Sequence, residues 1–347
     1  MIVSLGQWRC IIVTMRDVAE KAGVSVTSVS HVINQTRPVS EELRQRIQAT
    51  MEELGYQPNA LARSLRRKQT HSIGVIVPDS ANPFFAEVAR GIEATLFKQK
   101  YTVILGNSDG DLARELLYTN TLIEKQVDGI VFVAVGQSGL EHSQLVRNMR
   151  MPLMVVDRDV PGLSVDSVLT DNTLGGRLAA EHLLSLGHRR VGCITGPSDL
   201  TPSADRVTGC RQALAAANIP LPESHILKGD FQFQSGYEAA RRMLSAAEPP
   251  TAIFACNDLM AVGAVSAAIE RGLRVPQDIS VVGYDDVPLA SYTNPPLTTV
   301  AQPSYEMGQL AAEMLLQRIS NREMPIRRMQ LHPRLVVRQS TAEAGGK

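Results

Sequence analysis

Several common structural devices are missing from this chain of 347 residues, and each absence excludes a class of protein. No apolar run approaches the roughly 20 residues that a membrane-spanning helix needs. The four cysteines show neither CxxC spacing nor the partner pattern of a metal site. We interpret Cys10, Cys193, Cys210 and Cys256 as small buried hydrophobic residues in a reducing compartment. The sequence therefore predicts a cytoplasmic protein with no membrane segment, no metal and no cofactor.

Catalytic motifs are missing as well. The chain contains no phosphate-binding Gly loop with Lys, no HExxH, no GxSxG and no Cys–His pairing. Asp157 and Asp285 could serve an enzyme as paired carboxylates, but each also suits the role of an acceptor for ligand hydroxyl groups. We therefore expect a binding protein and not an enzyme.

Charge is distributed unevenly, although the formal net charge is zero. Residues 1–70 contain ten Lys and Arg against six Asp and Glu, which suggests a polyanionic partner at this end. Residues 1–14 are apolar, lack a signal-peptide cleavage site and fit no element that follows. We expect this extension to be disordered, or to precede a natural start at Met15. A secreted receptor would need a signal peptide, so that alternative is disfavoured.

Three short helices are predicted after Thr14. Thr14 and Asp17 fit a capping box at the start of the first helix, and Gly23 can take the left-handed conformation that ends it. Ser25 caps a second helix, whose apolar residues at i, i+3 and i+4 face inward. A third amphipathic helix follows over residues 40–55.

These helices form a helix-turn-helix pattern over residues 15–57. The second helix of such a unit enters the major groove with its N-terminal side chains toward the base edges. Its outer face here carries Val26, Thr27 and His31. A generic three-helix bundle would explain the apolar spacing but not this exposed set of small and polar side chains.

From residue 71 the pattern changes to alternating strands and helices. Continuous apolar strands are predicted at 73–77, 103–105, 129–133, 153–156, 190–194, 252–255 and 280–283. Such alternation predicts two lobes, each a doubly wound parallel α/β sheet. We expect an N-lobe of residues 71–170 and 302–328 and a C-lobe of residues 171–301 and 329–341. Residues 58–70 would form a hinge and linker, and residues 342–347 a tail.

Polar and aromatic residues concentrate in the loops that follow these strands. Ligands of open α/β sheets bind at the carboxyl ends of the strands, so these loops should face a cleft between the lobes. Aromatic rings pack on the C–H faces of a sugar, while carboxylates, guanidiniums and amides bind its hydroxyl groups. The sequence thus predicts a sugar site, although Phe85 could equally serve helix packing. The candidate residues are Asn82, Phe84, Phe85, Asp157, Arg158, Arg206, Phe231, Asn257, Asp285 and Gln302.

Two sequence stretches carry a family resemblance. RDVAEKAGVSVTSVSHVIN and GYQPNALARSL resemble the headpiece and the hinge of the LacI/GalR family of bacterial repressors, and the similarity runs from Met15 to about Thr341. The resemblance implies a sensor that is similar to periplasmic binding proteins. It also implies base contacts from Val26, Thr27 and His31. Phosphate contacts or helix caps are implied for Ser25, Ser28, Ser30 and Asn34.

The resemblance also assigns the hinge. There a short helix would form only on DNA, with Asn59 as its cap and Ala62 on the floor of the minor groove. Leu65 would insert between base pairs and kink the duplex, and Arg66 would contact phosphate.

The cleft residues resemble the site of the periplasmic ribose-binding protein, which implies D-ribose as the effector. Another pentose, a hexose or a purine stays open at this point. Purine repressors of the family have an aromatic residue in place of Arg158 and lack the Asn-Pro-Phe-Phe motif. We expect a homodimer, paired through N-lobe helices that begin near Phe84 and Leu112, on pseudo-palindromic operator DNA. Release by sugar is favoured by analogy, while corepression could use the same scaffold.

Overall fold

The computed structural model describes residues 13–34, 36–57, 69–133, 151–160, 163–197 and 200–345. The chain divides into two compact units, Met1–Thr70 and His71–Lys347. The predicted hinge contacts Asn59, Ala62, Leu65 and Arg66 lie outside the described residues, as do residues 1–12 and Cys10.

The first unit contains helices α1 (Met15–Ala22), α2 (Val26–Asn34) and α3 (Glu41–Glu53). The predicted capping box is confirmed, because the Asp17 amide donates to Thr14 Oγ1 at 3.4 Å and the Thr14 amide donates to the Asp17 carboxylate at 2.7 Å. Gly23 ends α1 with φ 64°, a conformation that side chains with a Cβ rarely adopt. Val18, Val29 and Ile47 are fully buried where the three helices meet.

The second unit contains two sheets of six strands among its described residues. The first has the order β11-β5-β4-β3-β1-β2 and is parallel throughout, and the second has the order β12-β10-β9-β8-β6-β7. Only β12 of the second sheet runs antiparallel to its neighbour. The strands of the first sheet are β1 (Ser72–Val77), β2 (Thr102–Asn107), β3 (Gly129–Phe132), β4 (Leu153–Val156), β5 (Asp166–Thr170) and β11 (Arg328–Leu331). Those of the second are β6 (Val191–Thr195), β7 (Ile226–Lys228), β8 (Ala252–Ala255), β9 (Ser280–Asp285), β10 (Thr298–Ala301) and β12 (Arg334–Val336).

Helices cover the faces of both sheets, as the alternating pattern predicts. The helices are α4 (Pro83–Lys98), α5 (Leu112–Glu124), α6 (Asn172–Ser185), α7 (Thr201–Ala216), α8 (Phe233–Met243), α9 (Asp258–Glu270) and α10 (Ser304–Ser320). Short 3-10 turns occupy Glu223–His225 and Pro288–Ser291. Each lobe has its own apolar core, and Cys193, Cys210 and Cys256 are buried in that of the C-lobe. These three cysteines therefore pack as small hydrophobic residues.

The structure corrects two details of the sequence interpretation. The last crossover comes after Leu331, because β11 pairs with β5 in the first sheet, whereas the sequence placed it at residue 329. Arg206 lies in the second turn of α7 and does not begin that helix. Strands β5 and β7 were not predicted, because β5 starts with Asp166 and β7 is a half-exposed edge of three residues.

Candidate functional site

Helix α2 presents the predicted DNA-reading side chains to solvent. Val26 is 43% exposed, which is unusual for an aliphatic residue in a unit this small, and Thr27 beside it is also exposed. His31 is half-buried and its Nδ1 lies 2.7 Å from Thr36 Oγ1. This outer face is therefore polar or open at the three positions predicted to contact bases.

The predicted caps and phosphate contacts on α2 have mostly local partners. Ser25 Oγ accepts a hydrogen bond from the Ser28 amide at 3.0 Å, which confirms its role as a cap. Asn34 Nδ2 donates to the Ser30 carbonyl at 2.9 Å. A small polar cavity in the same unit is lined by His31, Val32, Arg37, Pro38, Val39 and Arg44. A phosphate contact by Ser28, Ser30 or Asn34 stays a prediction.

In the second unit, nine of the ten predicted cleft residues line one small cavity, here called the inner pocket. The tenth, Gln302, reaches it through Asp285, because Gln302 Nε2 donates to Asp285 Oδ1 at 2.8 Å. The side chains come from both lobes and fill most of the space, so the centre of a water molecule can occupy only about 20 Å³. The cleft is thus nearly shut in this structure, and a sugar would enter with the lobes further apart.

The ends of five strands position these side chains. Asp157 directly follows β4, Asp285 ends β9, and Gln302 directly follows β10. Asn82 and Asn257 lie beyond β1 and β8 as N-caps of α4 and α9, accepting from the amides of Phe84 at 3.0 Å and Met260 at 2.9 Å. The predicted collection of the site at the carboxyl ends of parallel strands is therefore observed.

Backbone strain marks three of the site residues. Asp157, Phe231 and Asp285 have φ values of 67°, 69° and 106°, a region that residues with a Cβ rarely occupy. Asn257 Nδ2 holds the Phe231 carbonyl at 2.8 Å. Strain of this kind costs about 1–3 kcal/mol for each residue and is concentrated at functional sites. It turns the two carboxylates and the Phe231 ring toward the inner pocket.

Arg206 is the centre of a buried polar network. Its Nε donates to Asn172 Oδ1 at 2.8 Å, and its Nη1 donates to the Cys256 carbonyl at 2.5 Å. The same Nη1 lies 3.7 Å from Asp285 Oδ1, and the guanidinium carbon lies 3.8 Å from the centre of the Tyr284 ring. The guanidinium is therefore fixed before any ligand binds, which reduces the entropy cost of binding.

Burial changes the protonation of the two carboxyl groups. It raises the pKa of Asp285 to about 7, against the opposing effects of Arg206 and the hydrogen bond from Gln302. Burial also raises the pKa of Asp157, although Arg158 and Arg206 oppose the shift. Arg158 Nε lies 3.6 Å from Asp157 Oδ2. Near neutral pH Asp285 can therefore either accept a hydrogen bond or donate one.

Two buried oxygen atoms at the site have no hydrogen-bond partner among the described residues. They are Asp157 Oδ1 and Gln302 Oε1. A buried acceptor without a donor costs about 1–3 kcal/mol, so such atoms are rare in folded proteins. A ligand that carries several hydroxyl groups would supply the missing donors.

Aromatic rings complete the walls. Phe84 and Phe85 contact each other edge to face with ring centres 5.1 Å apart, and the Arg158 guanidinium lies 5.5 Å from the centre of the Phe85 ring. Both rings also belong to the N-lobe core, so the packing role considered for Phe85 and the site role coexist. Apolar walls with few polar groups are typical of small-molecule sites.

A second, wider cavity adjoins the first and is here called the outer pocket. The two share walls formed by Asn82, Phe85, Arg158 and Phe231. The centre of a water molecule can occupy about 250 Å³ of the outer pocket, more than ten times the inner volume. Its remaining walls are Pro78, Asp79, Asp109, Gly110, Pro197, Leu200, Asp230 and Gln232.

Sequence reasoning missed several residues of the inner site. Pro202 lines the inner pocket, and Asn172 accepts hydrogen bonds from both Arg206 and the Tyr284 hydroxyl. Gly176 allows α6 and α7 to approach so closely that a Cβ would lie 1.9 Å from the Arg206 carbonyl oxygen. No sequence motif marks these positions, because their importance arises from contacts between distant segments.

Other kinds of site have no candidate in the described part of the chain. Within the described ranges, no three His, Cys, Asp or Glu side chains are arranged to hold a metal ion. No described helix combines the length and the apolar character that crossing a bilayer requires.

Two family profiles match the chain. The profile described as "Bacterial regulatory proteins, lacI family" matches residues 14–59, which contain the three short helices. The profile described as "Periplasmic binding protein-like domain" matches residues 180–341. The predicted fold, a helix-turn-helix unit followed by a two-lobed α/β sensor, is confirmed.

The chain is also similar along almost its whole length to characterised repressors. It is 42% identical over 327 residues to the ribose operon repressor of Escherichia coli, covering 94% of this chain and 99% of the relative. It is equally similar, 42% identical over 331 residues, to the HTH-type transcriptional repressor PurR of Klebsiella pneumoniae, covering 95% of this chain and 97% of the relative. Overall identity therefore does not distinguish a sugar effector from a purine.

Solved structures show the same fold. A LacI family transcriptional regulator from Enterococcus faecium with bound ribose superposes with a TM-score of 0.72 at 35% identity, covering 78% of this chain and 99% of that one. The lac repressor dimer bound to operator and the anti-inducer ONPF superposes with a TM-score of 0.86 at 31% identity, covering 95% of this chain and 99% of that one.

Proposed function

Because the chain belongs to the lacI family of bacterial regulatory proteins, we propose that it is a transcriptional repressor that releases its operator when D-ribose binds. The observation that carries the proposal is the convergence of ten polar and aromatic residues on the inner pocket, with two buried oxygen atoms left without donors. Ribose hydroxyl groups would satisfy these oxygens, and Phe84 and Phe85 would contact the C–H faces.

A purine is the second candidate, since PurR is as similar overall as the ribose operon repressor. The charge of Arg158 beside Asp157 favours the sugar. Vicinal hydroxyl groups can donate to the carboxylate and accept from the guanidinium at the same time. The relative with bound ribose supports the same choice.

The mechanism we propose couples two sites without any covalent step. Two chains pair as a homodimer, as in the related lac repressor, and present two α2 helices to half-sites of a pseudo-palindrome. Sugar binding stabilises the closed cleft, and the closed form binds operator less tightly. Thermodynamic linkage then requires operator to weaken ribose binding by the same factor.

The effector is tested by thermal unfolding of the full chain with ribose, other pentoses, hexoses, hypoxanthine and guanine. Ribose at about 100 times its Kd should stabilise the protein by roughly 2.7 kcal/mol, seen as a higher Tm. The Asp157→Asn variant should lose this shift, whereas Asp159→Asn, the same change in the ion pair with Arg328, should keep it. A shift with a purine and none with ribose would contradict the proposal.

The DNA response can be measured with operators of any sequence. In vitro selection from a randomised duplex library should enrich an inverted repeat, and adding ribose should abolish the enrichment. Enrichment that appears only with ribose would show corepression instead of release.

A further inference from the structure

The outer pocket carries an inference about which sugars reach the inner pocket. Three carboxylate side chains line it, those of Asp79, Asp109 and Asp230. One guanidinium, that of Arg158, lies on the wall shared with the inner pocket. Its Nε is 3.6 Å from Asp157 Oδ2, so this charge is already opposed by a carboxylate of the inner pocket. The mouth of the cleft is therefore acidic.

Local contacts fix two of these carboxylates at the mouth. Asp79 accepts hydrogen bonds from the Ala81 amide at 2.9 Å and, across the cleft, from Gln232 Nε2 at 3.0 Å. Asp230 accepts from the Gln232 amide at 2.9 Å. Asp109 forms an exposed ion pair with Arg114 at 2.9 Å, which water screens strongly.

The two volumes decide where a bulky substituent would go. The inner pocket has almost no spare room, whereas the outer pocket is wide and shares four wall residues with it. A phosphate group on a bound sugar would therefore project into the outer pocket. There its negative charges would face the three carboxylates.

We infer that the outer pocket selects uncharged sugars against their phosphate esters, with Asp79, Asp109 and Asp230 as the specificity-determining residues. The inference rests on the proposed sugar function and restricts its effector class. The protein would then respond to the free sugar before an ATP-dependent kinase reaction phosphorylates it, and would not respond to the product of that reaction.

Calorimetric titration of the full chain with D-ribose, 5-O-methyl-D-ribose and D-ribose 5-phosphate tests the inference. Ribose should bind about 10- to 100-fold more tightly than its phosphate, since each carboxylate about 4 Å from a unit charge in water changes affinity roughly fivefold. The uncharged methyl ether should stay within about tenfold of ribose. Added salt should narrow the preference against the phosphate, because it screens exposed charges.

The charge variant is Asp109→Asn with Asp230→Asn, which leaves the hydrogen bond between Asp79 and Gln232 in place. It should bind ribose as before and improve binding of ribose 5-phosphate by about 5- to 25-fold at low salt. A matched variant, Glu238→Gln with Glu313→Gln, removes the same charge from exposed positions elsewhere and should change neither affinity.

The outcomes separate the two claims. If ribose binds and its phosphate binds equally well, or if the charge variant leaves the preference unchanged, the charge selection is wrong and the sugar function stands. If none of the three sugars binds, the proposed function fails and this inference fails with it.

Discussion

The outer face of α2 and the inner pocket are both recognition surfaces, but they hold their side chains in opposite ways. On α2, Val26 and Thr27 are exposed to water. In the inner pocket, Arg206 and Asp285 are almost fully buried and contact each other. A side chain in water can be replaced without affecting folding, whereas a buried charge is balanced by partners that suffer when it is lost. The two surfaces should therefore respond differently to mutation.

The largest effect is expected for Arg206→Ala. Removal of this guanidinium leaves the Asp285 carboxylate and Asn172 Oδ1 buried without their donor, so the free energy of unfolding should fall by about 3–5 kcal/mol and the ribose response should vanish. Arg211→Ala on the same helix is the control, because its ion pair with Glu223 is exposed and should contribute at most about 1 kcal/mol. Chemical denaturation measures both. Equal losses in the two variants would remove the contrast between buried and exposed sites.

A smaller, pH-dependent effect is expected for Asp285→Asn. The folded protein raises the pKa of Asp285 from 3.8 to about 7, so between these values the native state keeps a proton that the unfolded chain releases. Wild-type stability is therefore lost as the pH rises through this window. Relative to wild type, Asp285→Asn should gain about 2–3 kcal/mol between pH 5 and pH 8. Denaturation at several pH values gives the difference, and a constant difference would show that Asp285 titrates normally.

The smallest effect on stability is expected for Thr27→Ala. Because Thr27 is exposed on α2, the free energy of unfolding should change by no more than about 0.5 kcal/mol. Binding to the selected inverted repeat should nevertheless weaken by about 1–3 kcal/mol, while binding to unrelated DNA stays the same. Gln48→Ala, exposed on α3, should change neither quantity. A loss of stability in Thr27→Ala would place this side chain in the folded core and not on a DNA surface.

The cleft residues were predictable because strand ends in a parallel sheet converge wherever the sequence places them. Asp157, Asp285 and Gln302 follow apolar strands, and this local pattern was sufficient to bring them to one place. Asn172, Pro202 and Gly176 were missed, since a polar, a cyclic and a small residue inside helical segments look ordinary in sequence. Their roles depend on how α6 and α7 pack against each other.

The sequence by itself determined the order of the elements, the helix caps and the set of polar residues at the strand ends, because these follow from local periodicity and capping chemistry. Only the tertiary structure decided that the Asp285 carboxyl has a pKa of about 7, that Asp157 Oδ1 has no donor among the described residues, and that an acidic outer pocket precedes the inner one. Burial and distance between segments far apart in the chain set these properties. A linear pattern of residue types does not contain them.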